Sequence, residues 1–210
     1  PLDRVVLSHR DMDHVGGAAA VLAMQPQAQV LTSVDPGQLL LPDGVAQRCI
    51  AGQRWEWDGV QFAVLHPAAL DYDSIAKSNA MSCVLHISAG GRAALLVGDI
   101  EQTQEARLVA AQAPLRADVL LVPHHGSKTS SSAAFLDAVA PQVASVQSGY
   151  RNRFGHPHPA VVERYRERHI ELVDSPHCGA FTWRSWQVDM PQNEACIRAV
   201  DLRYWHHHVP

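Results

Sequence analysis

The residues best suited to metal chemistry in this sequence are crowded into one short stretch, residues 8–17. Four side chains that can bind a metal fall within six positions of it: His9, Asp11, Asp13 and His14. Imidazole nitrogen and carboxylate oxygen are common ligands of Zn²⁺, and they also suit Mn²⁺ or Fe. One Asp and one His could simply cap a helix, but four candidate ligands followed by Gly16-Gly17 need more explanation than a cap. The stretch therefore predicts a metal site.

Two later segments carry residues of the same chemical types, and each follows an apolar run. Residues 93–97 lead into Gly98-Asp99, and residues 118–122 lead into His124-His125. Residues 4–7 form a similar run before the first stretch. Short apolar runs of this kind indicate buried strands, and open α/β sheets bind ligands beyond the carboxyl ends of their strands. Neither later segment indicates a ligand by itself, because a Gly-Asp at a strand end is usually a turn and two histidines before a glycine could be a loop with one capping His.

The rest of the chain alternates short strands with helices. Hairpins are predicted over residues 55–65, with Asp58-Gly59 as the turn, and over residues 82–97, with Gly90-Gly91 as the turn. Helices are predicted at residues 16–24, 101–112, 133–139 and 160–169, and the serines at 130–132 are predicted to cap the third. Further strands are predicted at residues 29–32, 142–147, 171–173, 180–183 and 197–205. This order indicates one layered α/β domain over residues 1–205, followed by a tail at 206–210.

Composition narrows the class of protein. The 210 residues are 47% hydrophobic and 18% charged, enough for one domain with a sizeable core. The net charge of -4 excludes a basic field over the whole surface, although a metal centre and a few local cations can still hold a phosphate. No apolar run approaches the ~20 residues of a membrane span. The chain has neither a signal peptide nor an initiator Met, and we expect it to be a fragment of a longer protein.

The four cysteines do not form a Cys-x-x-Cys motif, so a zinc ribbon is not expected. Cys83 lies in an apolar run and is predicted to be a buried thiol. Cys178 and Cys196 are the candidate disulfide pair.

The pattern His-x-Asp-x-Asp-His-x-Gly-Gly resembles the metal motif of the metallo-β-lactamase superfamily. Asp11 stands where that superfamily more often has a second His, and this departure is similar to the subgroup that includes the ComEC DNA-uptake proteins. Other segments resemble ComEC specifically: Asn79-Ala80-Met81-Ser82, residues 149–157, Cys178-Gly179-Ala180 and Arg203-Tyr204-Trp205. The resemblance covers nearly the whole chain. It implies an αββα sandwich, here lacking the strands that normally precede the first motif.

The resemblance also implies the ligand roles. His9 and Asp11 would hold one metal, Asp13 and His14 the other, and Asp99 would bridge them. Either His124 or His125 would complete the second site. The family's third His on the first metal has no clear counterpart: His66 is nearest by order, but a structural role is favoured for it, and Asn79 or Ser82 could face the site instead. The residues expected to be catalytic are Asp13, Asp99 and His124.

Two divalent ions, Mn²⁺ or Zn²⁺, are the implied cofactors, and no organic cofactor is expected. Such a pair, about 3.5–4 Å apart, lowers the pKa of a bound water and polarises a phosphoryl oxygen. Four loop cations are predicted to contact DNA phosphates, although they could equally be solvated surface charges: Lys77, Lys128, Arg151 and Arg153.

The function implied is a metal-dependent phosphodiesterase that degrades the non-imported DNA strand during uptake in natural transformation. Single-stranded DNA would be its substrate, and the transmembrane remainder of the same protein its partner. The domain would lie on the periplasmic side of a bacterial inner membrane. Two alternatives remain, a DNA-binding or gating module with a non-catalytic metal site and a small-molecule metallo-hydrolase. An assay that measures metal-dependent cleavage of DNA separately from metal-independent DNA binding would distinguish these functions.

Overall fold

The computed structural model describes residues 1–35, 37, 46–73, 77–187 and 195–201. Its small sheet has three parallel strands in the order β1-β2-β3, with bounds β1 Arg4–Leu7, β2 Gln29–Thr32 and β3 Ala46–Arg48. The strands of the large sheet are β4 Arg54–Trp57, β5 Val60–His66, β6 Val84–Ala89, β7 Arg92–Leu96, β8 Val119–Leu121, β9 Val143–Val146 and β10 Glu171–Asp174. The helices are α1 Met12–Val15, α2 Ala18–Met24, α3 Gln102–Ala110, α4 Ala133–Val139, α5 Pro159–Glu167, α6 Ser175–Cys178 and α7 Ile197–Val200.

The large sheet has the strand order β10-β9-β8-β7-β6-β5-β4. Strands β7, β8, β9 and β10 run parallel to one another, whereas β4, β5, β6 and β7 form an antiparallel meander. The meander contains both predicted hairpins. Asp58 and Gly59 have φ values of 49° and 79°, the left-handed conformation that a tight two-residue turn requires.

Three apolar clusters separate four layers. Helix α2 packs on the small sheet through Ala18, which contacts Leu7 and Val30. The two sheets face each other across a second cluster that includes Leu31 and Leu85. Helices α3, α4 and α5 cover the other face of the large sheet, and that cluster contains Leu95, Leu120, Phe135 and Tyr165. The predicted αββα sandwich is therefore confirmed.

None of the helices in the described ranges is long and apolar enough to cross a membrane.

Two predicted strands near the end of the chain are wrong. Residues 180–183 form only one bridge, from Phe181 to Cys196, because the partner segment turns into α7 at once. The predicted strand at 197–205 begins instead as the helical turn Ile197–Val200, and residues 202–205 lie outside the described residues, as does the tail. The alternation of apolar and polar residues there suits a strand, but Ile197 and Val200 are also spaced as one helical face.

The cysteines form two disulfides. Cys178 and Cys196 are paired, as predicted. The prediction that Cys83 is a thiol is wrong, because it pairs with Cys49, although it is buried as expected. Cys49 follows β3 and Cys83 precedes β6, so the face-to-face packing of the two sheets brings them together. Their separation of 34 residues in sequence gives no sign of this.

The loop before α4 is held by side chains from two other helices. Ser132 stands at the N-cap of α4, but its side chain makes no capping bond, contrary to the prediction. Instead the fully buried carboxylate of Glu105 in α3 accepts the backbone N–H groups of Ser131 at 2.6 Å and Ser132 at 2.7 Å. Arg164 of α5 donates to the carbonyls of Ser130 and Ser131. Burial raises the pKa of Glu105 despite these hydrogen bonds.

Candidate active site

The three predicted ligand segments meet at one edge of the sandwich. Asp99 follows β7 and His125 follows β8, two parallel strands whose carboxyl ends share that edge. The stretch after β1 approaches from the small sheet. There the structure differs from the predicted loop, because Met12–Val15 forms one helical turn. The segments border a cleft of about 630 Å³. Its lining residues include Asp11, Asp13, Asp99, His124, His125, Gln147, Asn152, Phe154 and His156.

Asp99 is the centre of the cluster and is 4% exposed. His14 Nε2 lies 3.2 Å from its Oδ1, and His125 Nε2 and His9 Nε2 lie 3.5 and 3.8 Å from its Oδ2. Its backbone N–H donates to Ser82 Oγ at 3.0 Å. Three imidazoles from two segments, the stretch after β1 and the turn after β8, thus present the same nitrogen to one carboxylate.

Gly98 lets the backbone come close enough to build this arrangement. Its φ is +54°, and a Cβ at this position would lie 3.0 Å from atoms of Ser8 and Ser82. A residue with a side chain would therefore be both strained and crowded here, next to Asp99.

Ser8 orients two of the imidazoles. Its hydroxyl lies 3.0 Å from Nδ1 of His9 and 3.0 Å from Nδ1 of His14. The two lone pairs of a hydroxyl oxygen can accept the Nδ1–H groups of both rings, which leaves both Nε2 atoms without a proton and facing Asp99. Ser82 Oγ adds a contact of 3.3 Å to His9 Nδ1. Ser82 was one of the alternatives raised from sequence, but Ser8 was missed, and only its position beside His9 could have suggested it.

The two histidines after β8 have different surroundings. Both residues adopt the left-handed backbone conformation, with φ of 49° at His124 and 53° at His125. His125 Nδ1 donates to the carbonyl of Gln147 at 2.7 Å, so Nε2 is the nitrogen that the neutral ring would offer to a metal. That Nε2 lies 3.2 Å from Asp13 Oδ2. Gln147 was not singled out from sequence, since a backbone carbonyl leaves no trace in residue type.

His124 is engaged at both of its ring nitrogens. Nδ1 lies 3.4 Å from Glu101 Oε1, and Nε2 lies 3.2 Å from the side-chain nitrogen of Asn79. Nε2 is also 3.8 Å from Asp99 Oδ2. Asn79 therefore faces the site, which was one of the possibilities raised from sequence. Glu101 was expected only at the start of a helix, where it indeed forms a capping box.

The donor set fits a divalent metal ion. Among the described residues, one ligand atom from each of Asp13, His14, Asp99 and His125 lies within 4.8 Å of the others. The Nε2 atoms of His9, His14 and His125 are buried without a hydrogen bond of acceptable geometry. Burying a polar nitrogen without a partner is costly, and a cation supplies the missing partner for a lone pair.

The charges of the cluster suit cation binding. Burial, together with repulsion from His14, lowers the pKa of His9, which favours the neutral imidazole that ligates metals. Burial opposes ionisation of Asp99, but contact with His14 and the charge of His125 outweigh it and lower the pKa of that carboxyl. Burial also works to lower the pKa of His14, yet the neighbouring Asp99 carboxylate raises it overall. The centre is thus an anion surrounded by imidazoles.

Asp11, a predicted ligand, and His66, for which a structural role was favoured, lie outside the four-residue cluster. Asp11 lines the cleft, and its Oδ2 is 3.6 Å from His9 Nε2. His66, the nearest candidate for a third His on the first metal, is buried, and its Nδ1 donates to the carbonyl of Ser82 at 2.9 Å. Its Nε2 lies 3.8 Å from Asp71 Oδ2. His66 therefore supports the strand end behind the site, the role favoured from sequence.

The four cations predicted to contact DNA all lie at the surface: Lys77, Lys128, Arg151 and Arg153. The described residues that line the cleft include none of them. Two of them cover aromatic rings of the loop at 149–158. The Arg151 guanidinium lies 5.2 Å from the Tyr150 ring centre, and the Arg153 guanidinium lies 4.8 Å from the Phe154 ring centre.

Comparison with known proteins places this geometry in context. No family model matches the chain. Competence protein ComA of Neisseria gonorrhoeae is 43% identical over 180 residues, 85% of this chain and 25% of that protein. ComE operon protein 3 of Bacillus subtilis is 32% identical over 193 residues, 87% of this chain and 24% of that protein. The chain thus spans about a quarter of the length of these curated relatives.

The fold has counterparts among solved structures. Igni18, a metallo hydrolase from Ignicoccus hospitalis, matches with a TM-score of 0.52 at 16% identity. The match covers 81% of this chain and 74% of that one. At this level of identity the likeness shows the fold, and the chemistry must be argued from the residues.

Proposed function

This chain is homologous to one segment of the ComEC-family competence proteins and has the metallo-β-lactamase fold, and we propose that it is a metal-dependent phosphodiesterase that cuts single-stranded DNA. The observation that carries the proposal is the cluster of Asp13, His14, Asp99 and His125, with its buried and unpartnered imidazole nitrogens, at the edge of an open cleft. Such a cluster supports a divalent metal site in a place that a polymer can reach.

We assign the ligands as follows. Asp13, His14, Asp99 and His125 would hold one ion, and His9, Asp11 and Asp99 would hold a second. Divalent ions in such sites lower the pKa of water and stabilise the negative charge that develops on a phosphoryl group. Ser8 and Ser82 keep the imidazoles oriented, and His124, fixed by Glu101 and Asn79, faces the cleft beside the ligands.

The electrostatics of the chain favour a local rather than a global attraction for DNA. The net charge is -4, so most of the surface does not attract phosphate. Binding must therefore come from the cleft and from nearby cations. Arg151 and Arg153 on the loop at 149–158 are suited to this role, because guanidinium groups bind phosphate oxygens in a fixed geometry. Lys77 and Lys128 are exposed on segments adjoining Asn79 and the His124-His125 turn.

In the cell, we propose that the domain, residues 1–205, degrades the strand that is not imported during natural transformation. This chain matches about a quarter of each of two competence proteins, which supports a role beside a transmembrane remainder of the same protein. On this proposal the domain lies on the periplasmic side of the inner membrane, where incoming DNA arrives.

The test is cleavage of end-labelled single-stranded DNA by the purified chain, first chelated and then reloaded with Mn²⁺ or Zn²⁺. Asp99→Asn keeps the size of the side chain but removes the central anion, and we expect it to abolish cleavage. Asp137→Asn is the matched control, because this carboxylate lies exposed on α4, where it pairs with Arg168. We expect it to cleave like the parent chain.

The alternatives give other outcomes. DNA binding without cleavage under any metal would favour a binding or gating module and would contradict the phosphodiesterase. Cleavage of small ester or lactam substrates, with DNA left intact, would instead indicate a small-molecule hydrolase.

A further inference from the structure

The loop at 149–158 forms one wall of the cleft and is held in a fixed conformation. The side chain of Asn152 accepts the backbone N–H of His156 at 3.0 Å and donates to the carbonyl of the same residue at 2.6 Å. The backbone N–H of His158 donates to the carbonyl of Gly126 at 2.8 Å, which ties the loop to the turn that carries the histidine ligands. Pro157 packs directly against Gly126. The loop therefore presents its side chains at a set distance from the metal cluster.

Phe154 is the large apolar side chain that this loop exposes in the cleft. It is 67% exposed and is one of the residues that line the cleft. Its ring is stacked on His156, with 5.8 Å between ring centres and 19° between planes. His156 in turn lies 6.0 Å from the ring of His124. A row of rings thus leads outward from the ligand cluster and ends at Phe154.

The Arg153 guanidinium lies over Phe154, 4.8 Å from its ring centre. At an exposed site a cation–π contact is weak, because the guanidinium remains well hydrated. Stacking of a nucleic acid base on an aromatic ring is the stronger interaction, and a guanidinium group can bind phosphate oxygens in a bidentate geometry. A nucleotide that stacked its base on Phe154 could thus release Arg153 toward a phosphate at little cost.

We propose that Phe154 is a stacking platform for one unpaired base of the DNA strand, and that the arriving base displaces Arg153, which then binds the adjacent phosphate. This inference rests on the proposed nuclease function and adds the basis on which the site selects its substrate. Bases inside a duplex are stacked on one another and have no free face to offer, so the platform favours single strands. The other ring–cation pair of the loop, Tyr150 with Arg151, is not part of the cleft lining and is not assigned this role.

The experiment uses the 210-residue chain reloaded with Mn²⁺ and two labelled oligonucleotides of equal length, one normal and one with abasic sites throughout. We expect Phe154→Ala to raise KM for the normal strand about tenfold, the loss of one stacked base, and to leave kcat nearly unchanged. On the abasic strand, parent and variant should have the same KM. Phe154→Trp should restore a low KM, because it keeps an aromatic face. Trp186→Ala is the matched control, since Trp186 is 80% exposed and does not line the cleft.

A second measurement separates this inference from the nuclease proposal. Fluorescence anisotropy with chelator present reports binding of the same strands without cleavage. A tenfold affinity loss in Phe154→Ala on the normal strand alone would support the platform even if no cleavage occurred, and the phosphodiesterase proposal would then fail by itself. The platform would be overturned if the parent chain and Phe154→Ala bound the normal strand with equal affinity. It would also be overturned if Phe154→Ala lost the same affinity for the normal and the abasic strand, whether or not the parent chain cleaves DNA.

Discussion

Replacing His125 with Asn offers the sharpest test of the metal site. His125 donates through Nδ1 to the carbonyl of Gln147 and directs Nε2 at Asp13 and Asp99. The amide nitrogen of Asn occupies nearly the position of Nδ1, so it can keep the first contact while the second is lost. Asn is also well tolerated in the left-handed backbone conformation that His125 adopts, at φ 53°. The matched control is His124→Asn, at a neighbouring residue with φ 49°.

The two variants should differ strongly in metal affinity and little in stability. Losing an outer partner of a metal ligand costs about 10–100-fold in affinity, so losing a ligand should cost more than ~100-fold, or ~2.7 kcal/mol. His124→Asn should stay within roughly tenfold, because the ring nitrogens of His124 face Glu101 and Asn79. The free energy of unfolding without metal should change by less than ~1 kcal/mol in His125→Asn, since the hydrogen bond to Gln147 is kept.

Competition with a fluorescent chelator, using Zn²⁺ and Mn²⁺ in turn, gives the two dissociation constants, and urea titration gives the stabilities. The reasoning would be refuted if His124→Asn lost more affinity than His125→Asn, because the free lone pair would then have been assigned to the wrong ring. A loss of stability in His125→Asn above ~3 kcal/mol would show that its main role is structural.

Three further predictions concern the scaffold. Glu105→Gln should lower the free energy of unfolding by ~1–3 kcal/mol in urea titrations, because one of the backbone N–H groups of Ser131 and Ser132 loses its acceptor. An unchanged urea midpoint would show that these hydrogen bonds do not stabilise the fold. Gly126→Ala should lower Tm, since φ is +82° and the new Cβ would lie 2.6 Å from Pro157 Cβ, a strain of at least ~1 kcal/mol; a parent-like Tm would show that the loop can move. Burial opposes ionisation of Asp118, but hydrogen bonds from a backbone N–H and from Arg92 lower its pKa, so its stabilisation should be present above pH 3.8 and fade as the pH falls below that value. The difference in the free energy of unfolding between the parent chain and Asp118→Asn should therefore shrink as the pH is lowered. A difference that stayed constant with pH would argue against the ion pair.

Local sequence signals were sufficient for most of the secondary structure. The strand Arg4–Leu7 and the helix Ala133–Val139 have the predicted bounds, because apolar periodicity and flanking turn residues act within a few positions. The same signals failed at 180–183 and 197–200. A strand needs a partner, and the segment that would pair with Phe181 turns away after one residue.

The capping of α4 shows the same limit at the level of one hydrogen bond. The serines at 130–132 have the residue type of a helix cap, and the helix does begin after Ser132. Yet the side chains that satisfy the backbone N–H and carbonyl groups before the helix are those of Glu105 and Arg164, on other helices. Residue type therefore predicted where the helix starts, whereas packing decided what holds it.

The sequence by itself determined the donors of the candidate site and their placement at strand ends, because residue type and short apolar runs are local properties. It left His124 and His125 unresolved, and it did not reveal the roles of Ser8 or Gln147. Those depend on which way each imidazole points, which is set by hydrogen bonds between distant segments. Ser82 contacts His9 across 73 residues, and Gln147 fixes His125 across 22. Only the tertiary structure brings such partners together, because the packing of two sheets decides which carbonyl or hydroxyl each ring meets.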